Sequence, residues 1–248
     1  MGDKRAVEPP AVLHLSTSLF YLGCVAIKAH AWMTFHPAQQ RRRWNRTPVA
    51  DTELPDYSIL VPVYREEGQI SQLVRALSRL NWPTERPEIF LICEADDTKT
   101  VAVCRQETVG PDRFHFSQIS VPVCEPRTKP KALNYVLPLC RGKFVVVYDA
   151  EDRPHPLQLR EAHDGFVKGG ERLACLQASL AIRNEKEGFL TRLFAIEYLA
   201  LFDGVLPALA QISLQRSIPL PLPLGGTSNH FRRDVLLNVG GWDSYNVT

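Results

Sequence analysis

Several things that would settle the class of this chain at once are missing from it. Its six cysteines form no Cys-x-x-Cys pair, and no histidine stands at zinc-finger spacing from them. Neither a zinc finger nor a disulfide framework therefore organises the fold. Cys93 and Cys175 fall inside apolar runs, where cysteine behaves as a small hydrophobe. Six reduced thiols point to a cytosolic domain. The formal net charge is only +2, too little for the basic footprint of a nucleic-acid binder. There is no internal repeat, and Pro219–Pro223 is the only low-complexity tract. Val61-Pro62-Val63-Tyr64 carries no Gly- and Arg-rich phosphate loop, which argues against a nucleotidyltransferase.

What is present is an ordinary globular composition: 248 residues, 45% hydrophobic and 23% charged. That suits one large domain with a short appendage. The charge is uneven, since residues 1–50 hold seven Lys/Arg and two Asp/Glu. Ala11–Ile27 contains no charged residue, at the short end of the length a membrane helix needs. Lys28, Arg41-Arg42-Arg43 and Arg46 follow it. Positive residues stay on the cytoplasmic side, so this pattern predicts an inner (plasma) membrane anchor with the remainder cytoplasmic. A signal peptide cut near Ala29-His30-Ala31 and a buried helix of a soluble domain are the rival readings. The polar, Pro-containing stretch His36–Pro55 reads as a linker. The division expected is an anchor at 1–36, a linker at 37–56 and a domain at 57–248.

Within that domain, Tyr57–Val63, Ile89–Cys93, Phe114–Val121 and Phe144–Tyr148 read as strands, and Leu173–Ile182 is a further candidate. Apolar residues at helical spacing predict helices over Glu66–Leu80, Thr98–Val109, Thr128–Leu139 and Leu157–Val167. This alternation predicts an α/β fold, a mostly parallel sheet with helices on both faces. Glu187–Ala210 is a broad apolar helix, fitting either a membrane interface or a core.

Two strand candidates end in acids: Asp96-Asp97 follow Ile89–Cys93, and Asp149-Ala150-Glu151-Asp152 follow Phe144–Tyr148. Like charges gathered at a sheet edge repel unless a cation stands between them. The carboxyl edge of such a sheet is also where α/β folds bind ligands. A divalent ion carrying a nucleotide is the simplest tenant. The bland alternatives are a solvated turn at Asp149–Asp152 and a helix N-cap at Asp96-Asp97.

Five motifs in order then resemble family 2 glycosyltransferases of the GT-A, Rossmann-like fold. They are Ile59-Leu60-Val61-Pro62-Val63-Tyr64-Arg65-Glu66; Asp96-Asp97; Lys129-Pro130-Lys131-Ala132-Leu133-Asn134; Gly142 to Asp152; and Gly225 to Arg233 with Gly240-Gly241-Trp242. The resemblance covers residues 57–248, and membrane synthases of the cellulose-synthase type are its nearest branch. It implies inverting transfer of a sugar from a nucleotide-sugar donor, usually UDP-linked, to a glycan acceptor, in polysaccharide or glycoconjugate synthesis. It further implies Mg²⁺ or Mn²⁺ held by Asp149 and Glu151, with Glu standing where the family's motif has Asp. The implied nucleotide contacts are Pro62, Tyr64, Glu66, Asp96, Asp97, Lys131 and Asp149. Thr227, Ser228 and Asn229 are the implied acceptor contacts, whereas His230 and Trp242 read as structural. The family's Thr-Glu-Asp, whose Asp is the general base, is expected beyond Thr248, so the chain reads as a fragment of low turnover. A non-catalytic nucleotide-sugar-binding module is the alternative from another class.

Overall fold

A computed structural model describes residues 9–34, 49–108, 114–216 and 222–246. The chain divides into two compact units, one drawn from Met1–Arg43 and Ser179–Pro223, the other from Trp44–Ala178 and Leu224–Thr248. In chain order the elements begin with α1 (Pro9–Thr34), β1 (Tyr57–Val63), α2 (Ile70–Leu77), β2 (Pro87–Glu94) and α3 (Thr98–Glu107). There follow β3 (His115–Val121), α4 (Lys129–Val136), β4 (Phe144–Val147), α5 (Gln158–Gly169) and β5 (Cys175–Gln177). The last are α6 (Phe189–Ala200), α7 (Leu206–Arg216), β6 (Asn229–Arg232) and α8 (Arg233–Asn238).

The second unit holds a six-stranded sheet of order β3-β2-β1-β4-β6-β5. β3, β2, β1 and β4 are parallel, and β6 runs against both β4 and β5. β1 is buried along nearly its whole length, and its side chains alternate between the sheet's two faces. Tyr57, Ile59, Val61 and Val63 join one core with Ile70, Leu73 and Leu77 of α2 and Leu159 and Phe166 of α5. Leu60 joins the other, with Val145, Val147 and Ala132, Leu133 and Val136 of α4. Helices thus cover both faces, as the apolar strand runs predict.

Several boundaries differ from the sequence reading. α2 starts at Ile70 because Glu66 and Glu67 lie in a turn closed by Gln69 N donating to Glu66 O at 2.9 Å. The strand expected over Leu173–Ile182 is confined to Cys175–Gln177, the residues that find a partner in β6. β6 is not among the strands expected from the sequence; its four residues are too few for a period-two pattern to stand out. Most of the expected linker, and Val109, lie outside the described residues. Leu54, at the linker's end, is buried in the core, and Val49 packs against it.

At the sheet's amino edge Glu88 accepts from Ser58 Oγ at 2.6 Å and from the backbone N–H of Arg141 and Gly142. Burial opposes the Glu88 charge, but these bonds together hold its carboxyl below the usual range. A Cβ on Gly142 would lie 2.7 Å from Ser58 Oγ, so only glycine closes this corner.

The first unit is different in kind. Side chains along α1 are exposed, and so are Phe189, Leu190, Phe194, Ile196 and Leu199 of α6, which buries no residue. Further along the expected Glu187–Ala210 helix, Phe202, Gly204 and Ala208 are buried. Between α6 and α7 the helix widens to i→i+5 bonding over Leu201–Val205, one turn ahead of Pro207. Proline has no N–H to give, so the ladder must break near it. Ala11–His30 and Phe189–Ser213 are each long and apolar enough to cross a membrane.

His230 in β6 is fully enclosed, its Nδ1 2.5 Å from the Tyr57 hydroxyl. Burial pushes its pKa down to about 3. The unfolded chain takes up this proton below pH ~6.5, and the folded chain refuses it until near 3. Stability is therefore full above the upper value and is lost as pH falls through that window. Unfolding free energies from urea titrations between pH 7.5 and 4.5 should fall more steeply for the native protein than for His230→Gln. The difference should approach ~1.4 kcal/mol per pH unit.

Candidate functional site

The carboxyl ends of β1, β2 and β4 open into a cavity of about 410 Å³. Pro62, Tyr64 and Glu66 reach it from the loop after β1, and Asp149, Ala150 and Glu151 from the turn after β4. Ile92 and Glu94 come from β2, and Arg127, Thr128, Lys129 and Ala132 from the start of α4. The parallel order of β2, β1 and β4 brings these loops to one side, although they are far apart in sequence.

Glu66 is half buried. Burial raises its pKa, the Tyr64 N–H bonded to it works the other way, and the charges of Glu151 and Asp149 push it further up. These three carboxylates therefore feel one another. Asp152 points elsewhere: it accepts from Asp149 N at 2.8 Å and from the Thr227 hydroxyl. Burial is the largest influence on Asp152 and raises its pKa.

Of the predicted nucleotide contacts, Pro62, Tyr64, Glu66 and Asp149 line the cavity, together with the predicted metal ligand Glu151. Tyr64 is 43% exposed, and the Arg65 guanidinium sits 5.0 Å from its ring centre. Asp96 is at the margin, ion-paired to Arg127 at 2.5 Å. Asp97 caps α3 through Thr100 N and accepts from Arg65 N at 2.6 Å. Burial opposes the charge on Asp97, but these bonds together keep its carboxyl below the usual range. Asp97 therefore shapes the loop that carries Tyr64. Lys131 is turned under the cavity, its Nζ 2.7 and 2.9 Å from the two oxygens of Glu94.

Thr227, Ser228 and Asn229 are buried. Thr227 serves Asp152, Ser228 N donates to Val147 O at 2.7 Å, and the Asn229 amide donates to Gly225 O. These side chains and this amide build the strand's entry. Sequence reasoning missed Lys129, Arg127 and Glu94. Lys129 is ion-paired with Asp149 and donates to Gly226 O at 2.6 Å. Lys129-Pro130-Lys131 puts two lysines in the first turn of α4, and the sequence carries no signal for which of them faces the cavity.

Asn134, the motif's last residue, grips the segment after α8. Its amide donates to Trp242 O at 2.5 Å, and its Oδ1 accepts from Trp242 N at 2.9 Å. Thr128 Oγ1 donates to Ser244 O at 2.6 Å. Gly241 has φ +79 and faces Asn134 so closely that no Cβ fits. Asp243 sits in a turn, accepting from Tyr245 N at 3.0 Å.

Residues 55–248 match the family described as glycosyltransferase like family 2. The chain belongs to that family. Two relatives are a beta-monoglucosyldiacylglycerol synthase of Trichormus variabilis, 28% identical over 197 residues, and one of Synechocystis, 28% identical over 199. The alignments take in 79% and 78% of this chain but only 39% and 38% of those proteins. A solved mannosyltransferase from Pyrobaculum calidifontis, in complex with GDP-Man and Mn²⁺, is similar in fold, with TM-score 0.59 and 20% identity. The similarity covers 89% of this chain and 58% of that one. The chain therefore has the GT-A architecture, as its motifs lead one to expect.

Replacing Asn134 by alanine in this glycosyltransferase-family chain strands the Trp242 backbone groups. The expected loss is about 1–3 kcal/mol of unfolding free energy, read by urea denaturation, with faster amide exchange confined to residues 240–246. Unchanged exchange there would show that the clamp is dispensable.

Proposed function

We propose that this chain transfers a sugar from a nucleoside-diphosphate donor, with inversion, to an acceptor carried at a membrane. The observation that carries the reading is the convergence of Asp149, Glu151 and Glu66 on one cavity beside the exposed ring of Tyr64. The cavity's other charges are spoken for: Glu94 is neutralised by Lys131, and Arg127 by Asp96. Three carboxylates then face Lys129. A diphosphate added to that excess of negative charge would be repelled unless it arrives with a cation.

The residues fit Mg²⁺ or Mn²⁺. Asp149 and Glu151 offer hard oxygen donors, and they would hold the ion. Among the described residues no three His, Cys, Asp or Glu side chains form a metal cage. That agrees with an ion bound by one or two carboxylates and completed by substrate phosphate and water. When bound, such an ion supplies Lewis-acid stabilisation of the departing diphosphate. Tyr64 offers a ring face for the base, and Pro62 shapes the wall beside it. Asp96 would contact the base only by exchanging Arg127. The resemblance favours uridine as that base. Lys131 supports the floor of the cavity through Glu94, with Asp97 holding the loop above.

The acceptor side draws on the relatives' name, which specifies a glycosylated diacylglycerol, and on the two long apolar helices. Both support a lipid-borne glycoconjugate. Lys28 and the arginines at 41–43 and 46 support an inner-membrane location with the sheet unit cytoplasmic. Residues 1–36 are then the anchor, 37–56 the connection and 57–248 the transferase domain.

Calorimetric titration with UDP and GDP, with and without Mn²⁺, tests the donor site. Mn²⁺ should tighten UDP binding in the native protein. Asp149→Asn should forfeit at least the roughly 10–100-fold lost on removing a metal ligand's outer-shell partners. Metal-independent UDP binding untouched by that substitution would refute the assignment. The full-length chain should also stay in the membrane pellet after alkaline carbonate washing. Recovery in the supernatant would refute the anchor.

A further inference from the structure

Lys129 is oddly placed for a lysine. It is the first residue of α4, where the positive end of the helix dipole disfavours a cation. Asp149 offsets that cost by ion-pairing with its ammonium, and Gly226 O accepts a second bond at 2.6 Å. The paired side chains are only 34% and 32% exposed, so the pair is screened less than one on an open surface. The root of Lys129 is fixed by Thr128, whose hydroxyl caps the helix, and by Pro130 at the next position. Lys131 cannot take over, because Glu94 engages it from below with both oxygens.

The ammonium thus occupies Oδ1, one of the two oxygens of a carboxylate that lines the cavity. An ammonium and a divalent ion cannot both sit against one carboxylate oxygen without strong mutual repulsion. We propose that Lys129 is a resident counter-ion of Asp149 which a divalent cation must displace, so that this side chain sets how readily the site takes up metal. The inference rests on the metal reading given above. In the metal-free protein Lys129 restrains the repulsion among Glu66, Asp149 and Glu151 and ties the turn after β4 to the loop before β6. Its carbon stem keeps it at the cavity after displacement, as a positive charge released from its carboxylate.

The test is Mn²⁺ alone, without nucleotide, titrated into the full chain and followed by the electron paramagnetic resonance signal of the free ion. Native protein, Lys129→Gln, Lys129→Arg and Asp149→Asn are compared. Lys129→Gln should bind Mn²⁺ more tightly than the native protein by about two- to fivefold, the scale set by a partly exposed ion pair. Lys129→Arg keeps the charge and should stay within about twofold of native affinity on the same reasoning. Asp149→Asn should abolish binding. Equal or weaker binding by Lys129→Gln, with Asp149→Asn still inactive, would overturn this inference and leave the metal reading standing. Mn²⁺ binding that ignores Asp149→Asn, or is absent from every variant even after UDP is added, would overturn both.

Discussion

Negative charge gathered at one edge of a parallel sheet is the constraint around which the rest of this structure is arranged. β1 and β4 are buried strands whose carboxyl ends deliver Glu66, Asp149 and Glu151 to one opening. Such a cluster is costly in isolation, and every neighbouring element answers it. α4 brings Lys129 to Asp149 and Lys131 to Glu94. The loop before β6 supplies the Thr227 hydroxyl to Asp152, so one acid of the four-residue motif is drawn out of the cavity and into the scaffold. The remaining imbalance is what makes the opening suited to an anionic ligand that travels with a cation.

The opposite edge of the same sheet handles charge in the other way. Glu88 is sealed by Ser58, by Arg141 and by two backbone N–H groups, so it needs no outside partner. Both edges hold carboxylates on or beside β1's neighbours, yet only the carboxyl edge is left short of positive charge. That asymmetry, rather than acidity itself, is what sets the proposed donor site apart from the structural edge.

Much of the fold could be read from the chain because its strands are continuous apolar runs and its helices have one apolar face. β1 to β4, and the helices after them, stand close to where those patterns put them. β5 and β6 were harder. Residues 229–232 owe their extended form to β4 and residues 175–177 owe theirs to β6, and pairing across such distances leaves no local pattern. The site was legible where motif and side-chain direction agree, as at Tyr64, Glu66, Asp149 and Glu151. It was illegible where two alternatives sat side by side. Nothing in Lys129-Pro130-Lys131 says which lysine faces the cavity, and nothing in Thr227-Ser228-Asn229 says that these polar groups turn inward to bond the scaffold. Those outcomes depend on what the opposite strand offers.

One topological detail has a wider consequence. Gln177 and Asn229 are register partners, so the chain departs from the sheet and rejoins it at adjacent positions. Ser179–Pro223, which carries α6 and α7, is an excursion from this junction, which Ala178 N closes by donating to Ser228 O at 3.0 Å. Evolution could lengthen, shorten or replace that excursion without shifting a single hydrogen bond of the sheet. A lineage built on this plan is free to vary Ser179–Pro223 while the residues that line the cavity stay where they are.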